Sequence, residues 1–255
     1  GKGILNIDVL SFQRLAYRIF EETGGAREVL LDDTGKSMVL QKLVQQHRKN
    51  LPYLGSQMNK PGYLDEVKSL ISEFMQYDIR EEELQDMLGK TGEDSLLHMK
   101  MQDVGVLYQA FLQYLEGHYM TGEGVMDALK KAIPFSDKLK KSVLLLDGFT
   151  GFTPVQMNVI RELLNVCDKV LVTVTMDAGE NPLQMGKPHQ LFYMSRKMIH
   201  TLSDLTSNLD DPILLKDERK GRFGNFTSLD FLEKHLFRYR RSAYEKKQEE
   251  ICIFA

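Results

Sequence analysis

Apolar residues at helical spacing fill the first half of the chain and predict a series of amphipathic helices. Capping residues precede the apolar faces, and glycine or proline follows several of them, which marks the expected helix ends. In the helix that begins near Asp33, Met38, Leu40, Leu43 and Val44 are expected to face the core. The predicted helices cover Ser11–Glu22, a segment from Asp33 through Val44, Tyr63–Tyr77, Arg80–Leu88, Leu96–Tyr119 and Gly122–Ile133.

The pattern changes at Lys141, where short apolar runs begin to alternate with helical periodicity. This alternation is typical of βαβ units built around a parallel sheet. Further apolar runs near the two ends of the chain also predict strands. The predicted strands are Ile4–Leu10, Ser142–Leu146, Lys169–Thr175, a short one at Ile213–Lys216, and Ile251–Ala255, and the predicted helices after Lys141 are Thr153–Val166, Gln190–Ser207 and Ser228–Phe237.

The order of these elements predicts an α/β fold whose sheet domain is interrupted in sequence. Residues 1–23 supply its first part, residues 24–140 form an inserted all-helical subdomain, and residues 141–255 return to the sheet domain. Strands predicted at both ends indicate a piece of a longer polypeptide, although a short protein with terminal edge strands has the same pattern.

Composition excludes several classes of protein. Hydrophobic residues make up 42% of the chain and charged residues 27%, as in ordinary globular proteins. The net charge of −3 gives no overall attraction for nucleic acid, so DNA binding would need a local patch. The two cysteines form neither a metal-ligand spacing nor a disulfide framework. Short apolar runs and the lack of a secretory signal predict a cytoplasmic protein without a membrane span.

The segment Leu146–Gln156 carries the most informative local pattern. An apolar run of the kind expected for a strand buried on both faces ends in Asp147, and Gly148 follows. An acid at the carboxyl end of a parallel strand lies where open α/β sheets bind ligands. The alternative is an aspartate that only closes a strand. Thr153 and Pro154 are typical of a helix start.

A second segment, Thr34-Gly35-Lys36-Ser37, resembles the end of a phosphate loop. The full motif requires glycine five positions before Gly35, where this chain has Leu30. No buried strand leads directly into the turn, so the sequence predicts an ordinary helix start there.

Two segments combine aromatic and basic residues. Phe12, Arg14, Tyr17 and Arg18 fall within two turns of the first helix, and Lys234–Arg241 is a basic run with interleaved aromatics. Aromatic rings stack on bases, and arginine contacts phosphates. Alternatively Phe12 belongs to the core, the arginines are solvated, and the basic run ends an amphipathic helix.

Four segments together resemble the AddB subunit of the bacterial AddAB helicase–nucleases. They are Val9–Arg18, Leu146–Gln156, His189–Phe192 and Leu232–Phe237, and their order and spacing also match the family. The resemblance implies a RecA-like, superfamily-1 helicase module in a subunit that acts in double-strand-break repair and homologous recombination. It also implies a degenerate helicase that scans single-stranded DNA for the signal called Chi.

The resemblance further implies partners and cofactors for the parent protein. The motor protein AddA would be the protein partner, with single-stranded and double-stranded DNA as further partners. A phosphate loop for ATP and Mg²⁺ is expected before Gly1. The nuclease domain and the cysteines of a 4Fe-4S cluster are expected after Ala255. No cofactor and no catalytic residue is therefore expected within these residues, and this segment alone is not expected to hydrolyse ATP or cleave DNA.

The resemblance also points to particular residues. Phe12, Arg14 and Tyr17 become candidate DNA contacts, and Phe149 is a weaker one. Asp147 occupies the Walker B position, but Gly148 stands where active helicases carry the glutamate that orients water, which indicates a degenerate site. Two other hypotheses remain open. One is an interaction scaffold that docks AddA without touching DNA, and the other, less favoured, is an active ATPase.

Overall fold

The structure, a computed structural model, describes residues 7–25, 28–57, 60, 62–177, 180–215, 223, 227–236 and 242–252. The chain divides into two compact units, the first made of residues 1–145 and 152–171, and the second of residues 146–151 and 172–255. In chain order the elements are α1 (Phe12–Thr23), β1 (Val29–Leu30), α2 (Asp33–His47), α3 (Leu54–Gln57), α4 (Tyr63–Gln76), α5 (Glu81–Gly89), α6 (Leu96–Leu115), β2 (Tyr119–Met120), α7 (Gly124–Ala132), β3 (Val143–Leu146), α8 (Pro154–Val166), β4 (Lys169–Val172), α9 (Tyr193–Ser203) and α10 (Thr227–His235).

Helix α1 begins and ends as its sequence predicts. The Ser11 hydroxyl accepts a hydrogen bond from the Arg14 N–H at 3.3 Å and so caps the helix. Gly24 follows the last turn with φ of +79°, a conformation that glycine adopts without strain. Ala16, Ile19 and Phe20 are buried on one side. The apolar stripe therefore fixes which face of α1 turns inward.

The first hydrophobic core lies among helices α2 to α6. Leu40, Leu107 and Phe111 are completely buried there, and burial of each such side chain contributes about 1.5–3 kcal/mol. The prediction that Met38 faces this core is wrong, because its side chain is 67% exposed while Val39 is buried. The buried positions of α2 follow the helical period from Lys36, which leaves Met38 outside. They are Lys36, Val39, Leu40, Leu43 and Val44.

A buried carboxylate fixes α3 against α6. Asp103 is fully buried on α6, and its Oδ2 accepts hydrogen bonds from the N–H groups of Tyr53 at 2.9 Å and Leu54 at 2.6 Å. These donors belong to the start of α3, so Asp103 caps a helix that is 49 residues away in sequence. Burial raises the pKa of the Asp103 carboxyl, although the two backbone hydrogen bonds act in the opposite direction.

The second core joins elements that are far apart in the chain. Helix α7 packs against both α1 and α8, and Val125, Leu129 and Val159 are completely buried among them. Glu22 of α1 strengthens this arrangement by accepting hydrogen bonds from the Ser136 hydroxyl at 2.6 Å and the Lys138 N–H at 3.0 Å. Helix α1, from the start of unit 1, and helix α8, from its end, therefore share one core with α7, which lies at the end of the predicted helical block.

A short parallel ladder interrupts the block that the sequence predicts to be all helical. Val29 pairs with Tyr119, and Leu30 pairs with Met120. The helix predicted through Tyr119 ends instead at Leu115, because Gly117 takes a positive φ of +75° and turns the chain into β2. The boundaries at residues 24 and 140 remain a prediction.

Strands β3 and β4 form a parallel pair. The Asp168 N–H donates to the Ser142 carbonyl at 3.1 Å, and the Thr173 N–H donates to the Leu146 carbonyl at 3.0 Å. The prediction that β3 is buried on both faces is wrong for the described residues, because Val143 and Leu145 are 62% and 56% exposed. Helices cover one face of the pair, where Leu144 packs against the second core, and the other apolar face is open.

Three predicted strands do not form in the described residues. Ile7–Leu10 lies in the same unit as Val143–Leu145, but it forms no ladder, and Val9 is 90% exposed. Residues 213–215 and 251–252 are likewise irregular. An apolar run forms a strand only when a neighbouring strand takes its hydrogen bonds, and the described residues supply none to these runs. Residues 4–6, 216 and 253–255 of these predictions lie outside the described residues. The fold is therefore α/β with small parallel sheets.

The cap supplied by Asp103 leads to a stability prediction. Asp103→Ala leaves two buried N–H groups without an acceptor and should lower the free energy of unfolding by about 2 kcal/mol. Asp103→Asn keeps one acceptor oxygen and removes the buried charge, so it should cost less than half as much. Because burial raises the pKa of the Asp103 carboxyl, the unmodified protein loses stability as pH rises through the acidic range. The free energy of unfolding of the Asn variant should therefore improve relative to that of the unmodified protein over the same range. Urea unfolding at several pH values measures both effects, and equal losses for Ala and Asn would contradict the cap.

Candidate functional site

The outward face of α1 brings together two of the residues predicted to contact DNA. Arg14 and Tyr17 are both exposed, and their spacing of three residues places them on the same side of the helix. The Arg14 guanidinium makes no hydrogen bond or ion pair within the described part of the chain. The Tyr17 ring packs edge-on against Phe20, with centroids 6.2 Å apart, so its position is held while one side stays open.

Phe12, the third predicted contact on α1, lies on the opposite side of the helix. Its ring makes an edge contact with Phe152, with centroids 6.3 Å apart, and packs against the second core. A half-buried ring at this position anchors the start of α1. The structure therefore separates Phe12 from Arg14 and Tyr17, although all three fall within two turns.

Arg18 shares the outward face but is already engaged. Its Nη1 lies 2.6 Å from Oδ2 of Asp8. The hydrogen bond and the charge of Asp8 raise the pKa of the Arg18 guanidinium. This ion pair holds the segment before α1 beside the helix and leaves Arg14 as the guanidinium that is open to a ligand.

The turn after β3 belongs to the second unit and contains the predicted Walker B position. Asp147 is exposed, and its carboxylate accepts a short hydrogen bond from the Thr173 hydroxyl. Gly148 has φ of +76°, so a glutamate at this position would be strained. The backbone itself therefore disfavours the acidic pair of active helicases. Phe149, the weaker DNA candidate, is half-buried in the same turn.

Asp147 offers a single carboxylate, as the Walker B position of a P-loop nucleotidase does, where the phosphate loop supplies the other protein ligand of Mg²⁺. The described residues contain no group of three acidic, histidine or cysteine side chains that could hold a metal ion by themselves. A 4Fe-4S cluster needs four thiolates, whereas the whole sequence has two cysteines. Burial raises the pKa of the Cys167 thiol, which disfavours the thiolate that a metal would need.

Lys36, the lysine of the Gly-Lys-Ser segment, is buried inside the fold. Its ammonium lies 3.0 Å from both carboxylate oxygens of Glu123 and 3.2 Å from the Ser72 hydroxyl. Burial alone would raise the pKa of Glu123, but backbone hydrogen bonds together with Lys36 outweigh it and lower that pKa. Lys36 therefore joins α2 and α4 to the start of α7 and is not free to hold a phosphate.

Sequence reasoning missed a buried guanidinium in the second unit. Arg196 of α9 is 6% exposed, and its Nη2 donates to Oε1 of Gln190 at 2.7 Å. Glu180 lies 3.6 Å from the same nitrogen, and a side chain at Gly186 would collide with the guanidinium. Gln190 belongs to a segment that resembles the family, but nothing in the sequence links it to Arg196.

The basic run after α10 is only partly described. Lys234 pairs with Asp230 at 2.8 Å, and the His235 ring stacks on Phe231 with centroids 4.0 Å apart. Both are contacts within one helix. Residues 237–241 of the predicted run lie outside the described residues. Among the residues that the structure does describe, none of the helices combines the length and apolar character needed to cross a membrane.

Comparisons with known proteins match one family over most or all of the chain. A family model described as "ADDB, N-terminal" matches residues 1–233. The B subunit of the ATP-dependent helicase/deoxyribonuclease of Lachnoclostridium phytofermentans is 41% identical over 261 residues, covering 100% of this chain and 23% of that protein. Proteins of the same name from Desulforamulus reducens and Clostridium acetobutylicum are 32% and 31% identical, covering 97% and 99% of this chain and 22% of each protein. The chain thus spans less than a quarter of the length of these relatives.

The position of Lys36 leads to a prediction that separates a structural lysine from a phosphate ligand. Lys36→Met leaves the Glu123 carboxylate buried without its partner and should lower the free energy of unfolding by about 3 kcal/mol. The double variant Lys36→Met/Glu123→Gln should recover most of that loss. Because the pKa of Glu123 is lowered, the cost of Lys36→Met should shrink as pH falls through the acidic range.

Thermal or urea unfolding of the three variants measures the coupling between Lys36 and Glu123. A stable Lys36→Met protein that has lost nucleotide binding would contradict the structural role.

Proposed function

The chain belongs to the AddB N-terminal family, and on that premise we propose that it forms the helicase-like N-terminal part of one subunit of an ATP-dependent helicase/deoxyribonuclease. In this role it contributes a single-stranded DNA contact to a subunit whose motor and nuclease chemistry resides elsewhere. The observation that carries the proposal is the exposed pair Arg14 and Tyr17 on the outward face of α1.

The chemistry of this pair suits single-stranded DNA. Arginine binds phosphate oxygens, and an aromatic ring offers a stacking surface for any base. Each good stack contributes roughly 1–3 kcal/mol, so one tyrosine and one arginine give weak, salt-sensitive binding. Such contacts suit a strand that moves past the protein and is read as it passes. Scanning for the Chi signal is the form of this function that we propose for the whole subunit.

The open face of the β3–β4 pair supports a larger RecA-like sheet in the whole subunit. Parallel sheets occur almost only with both faces covered. Here Val143, Leu145 and Leu171 form an exposed apolar face, and both strands have an unpaired edge among the described residues. We propose that further strands and a covering layer complete this sheet, with the helices α2 to α6 as an insertion.

The proposed module is degenerate as a motor. Gly148 cannot supply a base, and its positive φ disfavours a glutamate in its place. Lys36 is held by Glu123, and the described residues contain no group of three or more acidic, histidine or cysteine side chains that could hold a metal ion. We therefore expect this segment alone to hydrolyse no ATP, whereas the whole enzyme, with an AddA-type partner, acts on DNA ends in double-strand-break repair and recombination in the cytoplasm.

A second candidate function is a scaffold that docks the motor subunit without touching DNA. The packing of Phe12 against Phe152 favours it, because one of the aromatics predicted to stack on bases serves the core instead. The two functions differ in what the outward face of α1 does, so variants on that face separate them.

The outward face of α1 leads to the DNA prediction. In the intact subunit complex, Tyr17→Ala should weaken binding of single-stranded DNA about tenfold because one stacking surface is lost. Arg14→Ala should reduce the slope of log affinity against log salt by about 0.7, the value for one phosphate contact to a single strand. Fluorescence anisotropy across a salt series measures both, and the response to Chi is followed in the same variants.

The matched controls remove the same side chains from other exposed positions. Arg161 on α8 and Tyr77 after α4 are both exposed and lie outside α1, so Arg161→Ala and Tyr77→Ala should leave DNA affinity unchanged. Phe12→Leu keeps the core apolar and should lower stability without changing DNA binding. Unchanged DNA binding and Chi response in the Arg14 and Tyr17 variants would overturn the proposal and favour the scaffold.

A further inference from the structure

A groove runs between the two cores of the first unit. Its larger part is a cavity of about 900 Å³ beside α7 and the end of α6, and a second cavity of about 450 Å³ continues towards the start of α5. The two cavities share Met75, Leu112, Gly124 and Asp127 as lining residues. One continuous surface therefore crosses the junction of the helical block with α7.

Exposed apolar side chains form part of the lining of this groove, beside polar ones. Phe135 lines it and is 74% exposed, although Ile133, two residues earlier, is buried in the second core. Leu112 of α6 lines it as well and is 40% exposed. Met75 and Met120 add flexible side chains that adapt to a ligand surface. Exposed apolar side chains gathered in a groove are typical of a protein-binding surface.

Carboxylates line the same groove in excess over cations. Glu28, Glu116 and Asp127 line its larger part, and Asp78, Glu81 and Glu123 join Asp127 in the smaller part, while Lys131 and Arg80 are the lining cations. Arg80 lies 3.8 Å from Asp78, and Lys36 pairs with Glu123. Once these two pairs are set aside, four carboxylates and one cation are left in the lining. The cation is Lys131, and the carboxylates are those of Glu28, Glu81, Glu116 and Asp127.

Asp127 lies where the two cavities meet and lines both of them. Its carboxylate makes no hydrogen bond or ion pair within the described chain. Burial and the charge of Asp78 raise its pKa, although Lys131 and Lys130 act in the opposite direction. Tyr108, which also lines the groove, has a pKa raised to about 12 by burial and by the charges of Asp78 and Asp127. The side chain of Asp127 is exposed, and Lys130 and Lys131 of its own helix offset its charge in part.

The apolar and acidic side chains of the groove together indicate what kind of ligand it binds. The negative potential repels the phosphates of DNA, so the groove is distinct from the outward face of α1. The exposed apolar side chains of the lining bind apolar side chains of a partner, and the excess of carboxylates attracts lysine or arginine. We propose that the groove accepts a segment of a partner protein that presents apolar side chains flanked by basic ones.

The identity of that partner rests on the proposed function, which makes the AddA-type motor subunit the first protein to test. The experiment uses the full-length subunit with a photo-reactive amino acid at Phe135, assembled with the purified motor subunit. After irradiation, mass spectrometry should find cross-links to one segment of the motor subunit that is rich in apolar and basic residues.

Affinity measurements test the charge and the apolar contact separately. Asp127→Lys should weaken subunit association at least tenfold, with a larger effect at low salt than at high salt. Phe135→Ser should weaken it at all salt concentrations, and Asp127→Asn should have an intermediate effect. Asp127→Asn should unfold at the same temperature as the unmodified protein or higher, which shows that weaker association is not misfolding. Glu66→Lys, on the exposed side of α4, is the matched charge reversal outside the groove and should change nothing.

Several results would overturn the inference. Cross-links to DNA, to a second copy of this chain or to an acidic segment each contradict the proposed occupant, as does unchanged association in the Asp127 and Phe135 variants. If the unmodified subunits do not associate, the proposed partner is wrong, and the groove is then tested with a synthetic helical peptide of leucine and lysine. That peptide should bind with the same dependence on Asp127 and Phe135, while a leucine–glutamate peptide should not. If the two peptides do not differ in this way, the proposal that the groove binds a protein segment is wrong.

Discussion

The buried ion pair between Lys36 and Glu123 holds the two halves of the first unit in register. Lys36 belongs to α2 of the first core, and its ammonium also reaches Ser72 of α4, while Glu123 stands at the start of α7 in the second core. Because a charge buried without its partner is strongly destabilising, this pair restricts where α7 begins. Helix α7 in turn packs against α1 and α8, so the position of the outward face of α1 depends on it.

The same arrangement separates two surfaces of opposite chemistry. Helix α1 turns Ala16, Ile19 and Phe20 towards α7 and leaves Arg14 and Tyr17 outside, where a nucleic-acid strand has access. The groove between the two cores carries exposed apolar side chains and more carboxylates than cations, a lining that we propose receives a basic protein segment. If the proposed function holds, a DNA strand and a motor protein would meet different surfaces of this chain.

The sequence predicts the helices well because their signals are local. Ser11 caps α1, and Thr153 and Gln156 form the reciprocal hydrogen bonds that begin α8 at Pro154. The strands are predicted less well, since a strand exists only with a partner, and the run at Ile7–Leu10 has none among the described residues. The sequence does not predict the ladder of β1 and β2, because each strand has two residues, which is too short for an alternating apolar pattern. Long-range polar contacts, such as Asp103 with α3, leave no signal in a single sequence either.

For the candidate site, the sequence suggests residues for a DNA contact but not the directions of their side chains, and the contact itself stays a prediction. Arg14 and Tyr17 emerge on one face as a DNA contact requires, whereas Phe12 turns inward because the apolar stripe of α1 includes it. The sequence shows that Gly148 supplies no base, and the structure adds that its backbone disfavours one. Hydroxyl-radical footprinting of Tyr17 and Phe135 in the full-length subunit tests the separation of the two surfaces most directly. The account predicts that single-stranded DNA protects Tyr17 and leaves Phe135 reactive, whereas the motor subunit protects Phe135. Protection of Phe135 by DNA, with Tyr17 unchanged, would contradict it.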